Sequence, residues 1–314
     1  TPNTINGLTD VLLVAAGGDT TCAMQTDHFL YCWGANEEGQ VGDASGFNRN
    51  APVRVEDIGT VRRFAVGIEH ACAITRDAGQ LYCWGANSSG QLGNGSLQGS
   101  TVPRRINLTN VDDLALGATH SCALSSGQVR CWGRNDPYQH LGWEGAGRQR
   151  TPRLNGVNGL FAISSTSQFT CGASSQINNL GGLDGVICWG RNHQNQLGTG
   201  SPSDAGTAVR VASLTNARRV AVGYSHACAA RRDGAVYCWG NNLSGQLGNG
   251  NDSETIDLIR VQALRDEIVE LSAGGSHTCV RNERGHLFCW GTNEHGQLGS
   301  PGNDRPTPTR IQSF

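Results

Sequence analysis

Twelve cysteines, four histidines in register with them, and one cluster of Trp, Tyr, His, Glu and Arg are the side chains whose types and spacing could do chemistry. The cysteines form pairs: Cys22 with Cys32, Cys72 with Cys83, Cys122 with Cys131, Cys171 with Cys188, Cys228 with Cys238, and Cys279 with Cys289. The second member of each pair opens a Cys-Trp-Gly triplet, and none of the twelve is left over. Because side chains alternate across a strand, His70 and Cys72 share a face and Cys83 joins them from the neighbouring strand, a conceivable three-ligand metal site. Thr20 and Phe169 stand where other repeats have His70, His120, His226 and His277, yet both repeats keep their cysteines. The even count and the short spacing favour disulfides, with no metal and no cofactor expected. The absence of any Cys-x-x-Cys motif speaks against thiol catalysis. The histidines are expected to satisfy buried backbone groups at a strand turn, and the motif tryptophans to pack between repeats.

The second concentration of chemistry lies where the repeats cease to match. The usual Asn-x-x-Gly-Gln-Leu-Gly becomes Asn135-Asp136-Pro137-Tyr138-Gln139-His140-Leu141-Gly142, with one extra residue, followed by Trp143-Glu144 and then Arg148-Gln149-Arg150. Arg134 and Arg191 replace the Ala or Asn that follows Trp-Gly in other repeats. Tyr, Trp and Arg are enriched at protein-binding hot spots, and the same set suits carboxylated glycans. Arg134, Tyr138, His140, Trp143, Glu144, Arg148, Arg150 and Arg191 are therefore the candidate binding residues. The alternative is a glycosidase or polysaccharide lyase in which His140 and Glu144 act as acid and base. Loop carboxylates at Asp43, Glu144, Asp204, Asp252, Glu254 and Asp304 could serve it, but such acids are ordinarily turn formers, and no residue is assigned a catalytic role. All 24 basic residues are arginine, which excludes Schiff-base chemistry and a phosphate-loop lysine. The Asn249-Gly250-Asn251-Asp252 turn lacks the acidic spacing of a dedicated calcium loop.

The elements that must position these residues follow from the period. The motif tryptophans Trp33, Trp84, Trp132, Trp189, Trp239 and Trp290 are 51, 48, 57, 50 and 51 residues apart, the length of one four-stranded propeller blade. Turn residues between paired cysteines, such as Ser125-Ser126-Gly127-Gln128, mark hairpins. In the third repeat this pairs Leu124 with Val129, Ala123 with Arg130, and Cys122 with Cys131. The string Gly67-Ile68-Glu69-His70-Ala71-Cys72 recurs at 117–122, 223–228 and 274–279 and supplies a further strand and turn. The fourth repeat has a longer hairpin through Ser174-Ser175-Gln176-Ile177-Asn178-Asn179-Leu180-Gly181-Gly182, which could project as a contact loop. Segments ending in Arg and an aliphatic residue, such as Pro52-Val53-Arg54-Val55, supply the last strand. No copy precedes the first repeat, and Pro308-Thr309-Arg310-Ile311 near the C-terminus is expected to complete it and close the ring. The expectation is an all-β, six-bladed β-propeller over residues 1–314, closed by pairing of the N- and C-terminal segments, with one disulfide per blade.

The strings Leu81-Tyr82-Cys83-Trp84-Gly85-Ala86-Asn87 and Gly90-Gln91-Leu92-Gly93 resemble the regulator of chromosome condensation repeat family across nearly the whole chain. The resemblance implies a β-propeller, usually of seven blades, with roles that include nucleotide exchange on a small GTPase, ultraviolet-B sensing and inhibition of β-lactamase by a secreted member. This sequence has six repeats and a cysteine pair in each, which a reducing cytosol would not keep oxidised. Light sensing needs clustered tryptophans, and here only Trp143 lies outside the repeat. A net charge of −2 lacks the footprint of a nucleic-acid binder, and no stretch is long and apolar enough for a membrane-spanning helix. The opening residues lack signal-peptide character, which fits a mature secreted fragment. The sequence thus reads as a secreted, periplasmic or cell-surface binding module for a protein or, second, a glycan.

Overall fold

A computed structural model of the protein describes residues 4–135, 141–143, 145–166, 168–174, 184–254, 258–264 and 266–311. These residues form six four-stranded antiparallel sheets, the blades of an all-β propeller, and contain no helix among them. The first blade is β1 (Val11–Gly17), β2 (Thr20–Gln25), β3 (Leu30–Gly34) and β4 (Arg49–Arg54). The second is β5 (Val61–Val66), β6 (His70–Thr75), β7 (Leu81–Gly85) and β8 (Ser100–Arg105). The third is β9 (Val111–Leu116), β10 (His120–Ser125), β11 (Gln128–Asn135) and β12 (Gly147–Asn158). The fourth comprises β13 (Leu160–Ser165), β14 (Phe169–Ser174), β15 (Gly185–Gly190) and β16 (Ala205–Arg210). The fifth comprises β17 (Ala217–Val222), β18 (His226–Arg231), β19 (Val236–Gly240) and β20 (Ile259–Arg260). The sixth is β21 (Ile268–Ala273), β22 (His277–Asn282), β23 (Leu287–Gly291) and β24 (Arg305–Arg310). Two compact units divide the chain, one holding the first three blades and the other the last three, with the boundary inside β12 at Gly156 and Val157.

All six expected cysteine pairs are disulfides joining the second and third strands of a blade, with Cα atoms 4.1–4.2 Å apart. The register in the third blade is the one expected from its turn, Leu124 opposite Val129, Ala123 opposite Arg130 and Cys122 opposite Cys131. The sulfurs are bonded to one another, so the metal reading of His70, Cys72 and Cys83 falls away.

The expected closure is corrected. The C-terminal strand β24 pairs with β23, Phe288 opposite Arg310 and Cys289 opposite Thr309, and completes the sixth blade. The first blade is completed by its own β4, with Tyr31 opposite Arg54 and Cys32 opposite Val53. The Arg-ending segment therefore ends the repeat it follows rather than opening the next one. The loop after Trp-Gly is long enough to turn the chain back onto the exposed edge of the third strand, and this satisfies that edge locally.

Between blades the packing is repetitive. In the first unit, Phe64, Ala71, Ala73 and Trp84 of the second blade pack on Met24, Leu30, Val41 and Val55 of the first. In the second unit, Ala227, Ala229 and Trp239 of the fifth blade pack on Phe169, Val186, Leu197 and Val211 of the fourth. In four blades the indole N–H of the incoming tryptophan donates to a backbone carbonyl of the preceding Gly-Gln or Asn-Gln turn. The distances are 2.9 Å for Trp84 to Gln40, 2.8 Å for Trp132 to Gln91, 2.9 Å for Trp239 to Gln196 and 2.8 Å for Trp290 to Gln246. A buried indole needs such a partner, and here it fixes the position of the loop at the blade end. In the first blade, Trp33 is half-buried, and Val11, Leu12 and Val14 are exposed.

Candidate functional site

The loop that follows each Trp-Gly is fastened by one buried asparagine. Its Oδ1 accepts the N–H five residues on: Asn36 from Val41, Asn87 from Leu92, Asn192 from Leu197, Asn242 from Leu247 and Asn293 from Leu298, at 2.8–3.0 Å. Its Nδ2 donates to two later carbonyls, for Asn87 those of Ser96 and Gln98. In four loops Nδ2 also donates to the side chain directly after the turn glycine: Asp43, Asn94, Thr199 or Asn249. Asp43 is further gripped by Arg49 Nε at 2.5 Å and by Ser45. Burial pushes the Asp43 carboxyl up, but the hydrogen bonds from Ser45, Arg49 and Asn36 outweigh it and hold the group below the usual carboxylate range.

The third and sixth blades depart from this pattern; in the sixth, Asn293 Nδ2 donates to the carbonyls of Ser300 and Gly302. In the third, Trp143 follows Gly142 in the place of Asp43, and Asn135 Nδ2 donates to the backbone carbonyl of Trp143 at 3.0 Å and to that of Gly145. Its ring is thereby released from fastening the loop. The guanidinium of Arg153 stacks over it, 4.6 Å from the ring centroid. Trp143, Arg148, Gln149, Arg153 and Asn135 line a groove of about 230 Å³. The structure thus places the candidates Trp143 and Arg148 on one groove and adds Arg153. Sequence reasoning missed Arg153 because every repeat has an arginine at that place; in the other five blades it ends the outer strand, at Arg54, Arg105, Arg210, Arg260 and Arg310. Arg134 and Arg150 are exposed but do not line the groove. Arg150 carries its carbonyl to the N–H of Gly95 in the second blade. Tyr138, His140 and Glu144 lie outside the described residues.

Arg191 belongs to the second unit. Its Nη2 is 3.4 Å from Nδ1 of His193, whose Nε2 lies 3.2 Å from Asp204. His193, Asn195, Pro202, Asn241 and Glu254 line a wider groove of about 510 Å³ between the fourth and fifth blades. His193 was not singled out in the sequence, since nothing repeats it.

The loop carboxylates proposed for catalysis are largely committed to structure. Asp204 Oδ1 accepts the N–H of Asn192 at 2.6 Å, and Asp304 Oδ1 accepts that of Asn293 at 2.7 Å. The expectation for the histidines is corrected at His70 and His226, whose rings bind side chains rather than backbone. His70 Nε2 is 2.8 Å from Ser121 Oγ in the next blade, and His226 Nε2 is 2.8 Å from Thr278 Oγ1. Burial pushes both imidazoles down to about 3, with the nearby His277 adding to the effect at His226.

Six blades with this loop architecture define a repeat propeller, and the comparisons agree. The RCC1-like domain family matches residues 1–314, and the chain belongs to that family. It is similar to the ultraviolet-B receptor UVR8 of Arabidopsis thaliana, 29% identical over 96% of this chain and 70% of the receptor. It is similar to the mouse E3 ubiquitin-protein ligase HERC2, 30% identical over 90% of this chain but only 6% of the ligase. Among solved structures, Prp20p of Saccharomyces cerevisiae superposes with a TM-score of 0.85 at 21% identity, covering 96% of this chain and 77% of that one. Human WBSCR16 superposes with a TM-score of 0.86 at 20% identity, covering 98% and 83%.

Proposed function

We propose that the protein is a non-enzymatic binding module that captures a protein partner through its irregular loops and works in a secreted, periplasmic or cell-surface setting. The observation that carries the partner reading is the groove at Trp143, where the residue whose side chain fastens four other loops is replaced by an indole stacked under Arg153 and flanked by Arg148. Aromatic and arginine side chains in a groove on a rigid scaffold are the usual anchors of protein recognition. The yeast relative Prp20p was characterised for its binding to Gsp1p and histones, both proteins, which supports the same class of role here. Six disulfides that use all twelve cysteines support an oxidising compartment. The engagement of Asp43, Asp204 and Asp304 in loop fastening supports a scaffold rather than a hydrolase.

The test is capture from the secreted or periplasmic fraction of the source cells by the immobilised protein, followed by mass spectrometry. A protein held by the wild type and lost with the double variant W143A/R148A is the expected result. Identical capture by both would overturn the assignment of this groove.

A further inference from the structure

We propose that the groove at Trp143 accepts an acidic peptide segment, a carboxylate of which takes at Arg148 the place that Asp43 takes at Arg49. The proposal rests on the binding-module reading and names the chemistry of the partner. It comes from comparing two blades of one unit. Asp43 and Trp143 each directly follow the glycine that ends the turn, Gly42 and Gly142. Arg49 and Arg148 each stand five positions before the arginine that recurs in every repeat, Arg54 and Arg153. In the first blade the pair is an internal salt bridge, Arg49 Nε to Asp43 Oδ2 at 2.5 Å. The third blade keeps the guanidinium and replaces the carboxylate with an indole.

Where the sixth blade has an arginine at this position, its own loop again satisfies it, Arg305 Nη2 donating to the carbonyl of Pro301 at 3.1 Å. Arg148 has no such acceptor among the described residues, and it is exposed. Arg134 and Arg150, also exposed, likewise make no ion pair among the described residues.

The shape of the site selects among anions. A guanidinium fork matches a carboxylate in two parallel hydrogen bonds. The adjoining indole face suits the methylene stem of a glutamate, and about 230 Å³ holds one side chain rather than a multiply sulfated sugar chain. The outermost strand of this blade, β12, is 12 residues long, against six for β4, β8, β16 and β24 and two for β20. Arg148, Arg150 and Arg153 lie on the part of β12 that corresponds to β4, residues 148–153, and of them Arg148 and Arg153 line the groove.

Fluorescence anisotropy of labelled octaglutamate, octaglutamine and a heparin octasaccharide on the full chain tests this. Octaglutamate should bind at least about tenfold more tightly than octaglutamine, and both R148Q and W143D should remove about tenfold of that affinity. W143D is the decisive variant, because it restores an internal acid at the place of Asp43 and so competes with the peptide without weakening the loop. Its thermal midpoint should equal or exceed that of the wild type. Equal affinity for the two peptides, octaglutamate binding unchanged by W143D, or preferred binding of the octasaccharide would each overturn the proposal. If octaglutamate follows the expected pattern while the captured protein survives W143A/R148A, the partner reading fails alone. If the captured protein is lost in that variant while both peptides bind alike, the acidic-peptide assignment fails alone.

Discussion

Ser121 Oγ stands between His70 Nε2, at 2.8 Å, and the backbone carbonyl of Gln91, at 2.8 Å, so that a histidine of the second blade reaches its own blade's turn through a hydroxyl of the third. Thr278 repeats the relay between His226 and the carbonyl of Gln246, at 2.8 and 3.2 Å. Since the hydroxyl donates to the carbonyl, it accepts from the imidazole, so Nε2 carries the proton of the neutral ring; a second proton would fall on Nδ1, which is buried without a hydrogen-bond partner among the described residues, and burial therefore keeps the ring neutral.

This makes stability depend on pH with a definite sign. Each buried histidine has a folded value near 3 against about 6.5 when unfolded, so the unfolded chain binds more protons between those limits. Stability is full above pH 6.5 and falls as pH drops towards 3, with each such histidine adding to the loss. Urea unfolding at pH 7 and pH 5 measures it. The variant H70Q should start less stable at pH 7 and lose less on acidification than the wild type.

The loop asparagines predict a large effect from a small truncation. Asn87→Ala orphans the N–H of Leu92, which is buried, and removes donors from the carbonyls of Ser96 and Gln98. With one buried donor unsatisfied and three further hydrogen bonds lost, the cost is about 3 kcal/mol. Substituting Asn94, exposed and joined to Asn87 by a single 3.3 Å contact, should cost under about 1 kcal/mol. Thermal denaturation of both variants gives the comparison.

The fold was legible in the sequence because each blade repeats its own signals: cysteines at hairpin distance, tryptophan after the second, glycine where the chain must turn. Counting from Ser126-Gly127 alone paired Cys122 with Cys131 correctly. The phase of the repeat was not legible, since a strand such as Pro52-Val53-Arg54 looks the same whether it ends one blade or begins another; only the hydrogen-bond partner decides. The histidines were half-legible. Their burial followed from the motif, but their partners Ser121 and Thr278 sit in a neighbouring blade roughly fifty residues away, at positions that Ala71 and Ala227 fill in other blades. Trp143 was visible as an irregularity, whereas its meaning needed the Asp43 loop beside it.

The disulfides differ in exposure, and reduction should follow that order. Ten of the cysteines are essentially fully buried, while Cys289 is 3% exposed and Cys279 is only partly buried. Thiolate attack requires access to sulfur, so the Cys279–Cys289 bridge should open first under limiting reductant. Alkylation of trapped thiols followed by peptide mass spectrometry reads the order directly. Labelling of Cys72 or Cys122 ahead of Cys279 would contradict it. Complete reduction should remove about 2–3 kcal/mol for each small loop released, with the six contributions less than additive.

Gly93 and Gly95 separate two reasons for glycine within a single loop. Both have left-handed backbone angles, φ of 76° and 83°. A Cβ on Gly95 would meet nothing within 4 Å, so Gly95→Ala pays only for the backbone conformation, about 1 kcal/mol. A Cβ on Gly93 would lie 2.6 Å from Nε1 of Trp132, whose indole is fully buried and tied to the carbonyl of Gln91. The ring has no room to retreat, and moving it breaks that hydrogen bond. Gly93→Ala should therefore cost about 3 kcal/mol or more, combining backbone strain with overpacking and the strained indole contact. Chemical denaturation of the two variants distinguishes these costs, and the fluorescence of Trp132 should change in the Gly93 variant alone. Equal destabilisation by both substitutions would mean that backbone conformation, and not the neighbouring blade's indole, dictates the second glycine of the Gly-Gln-Leu-Gly string.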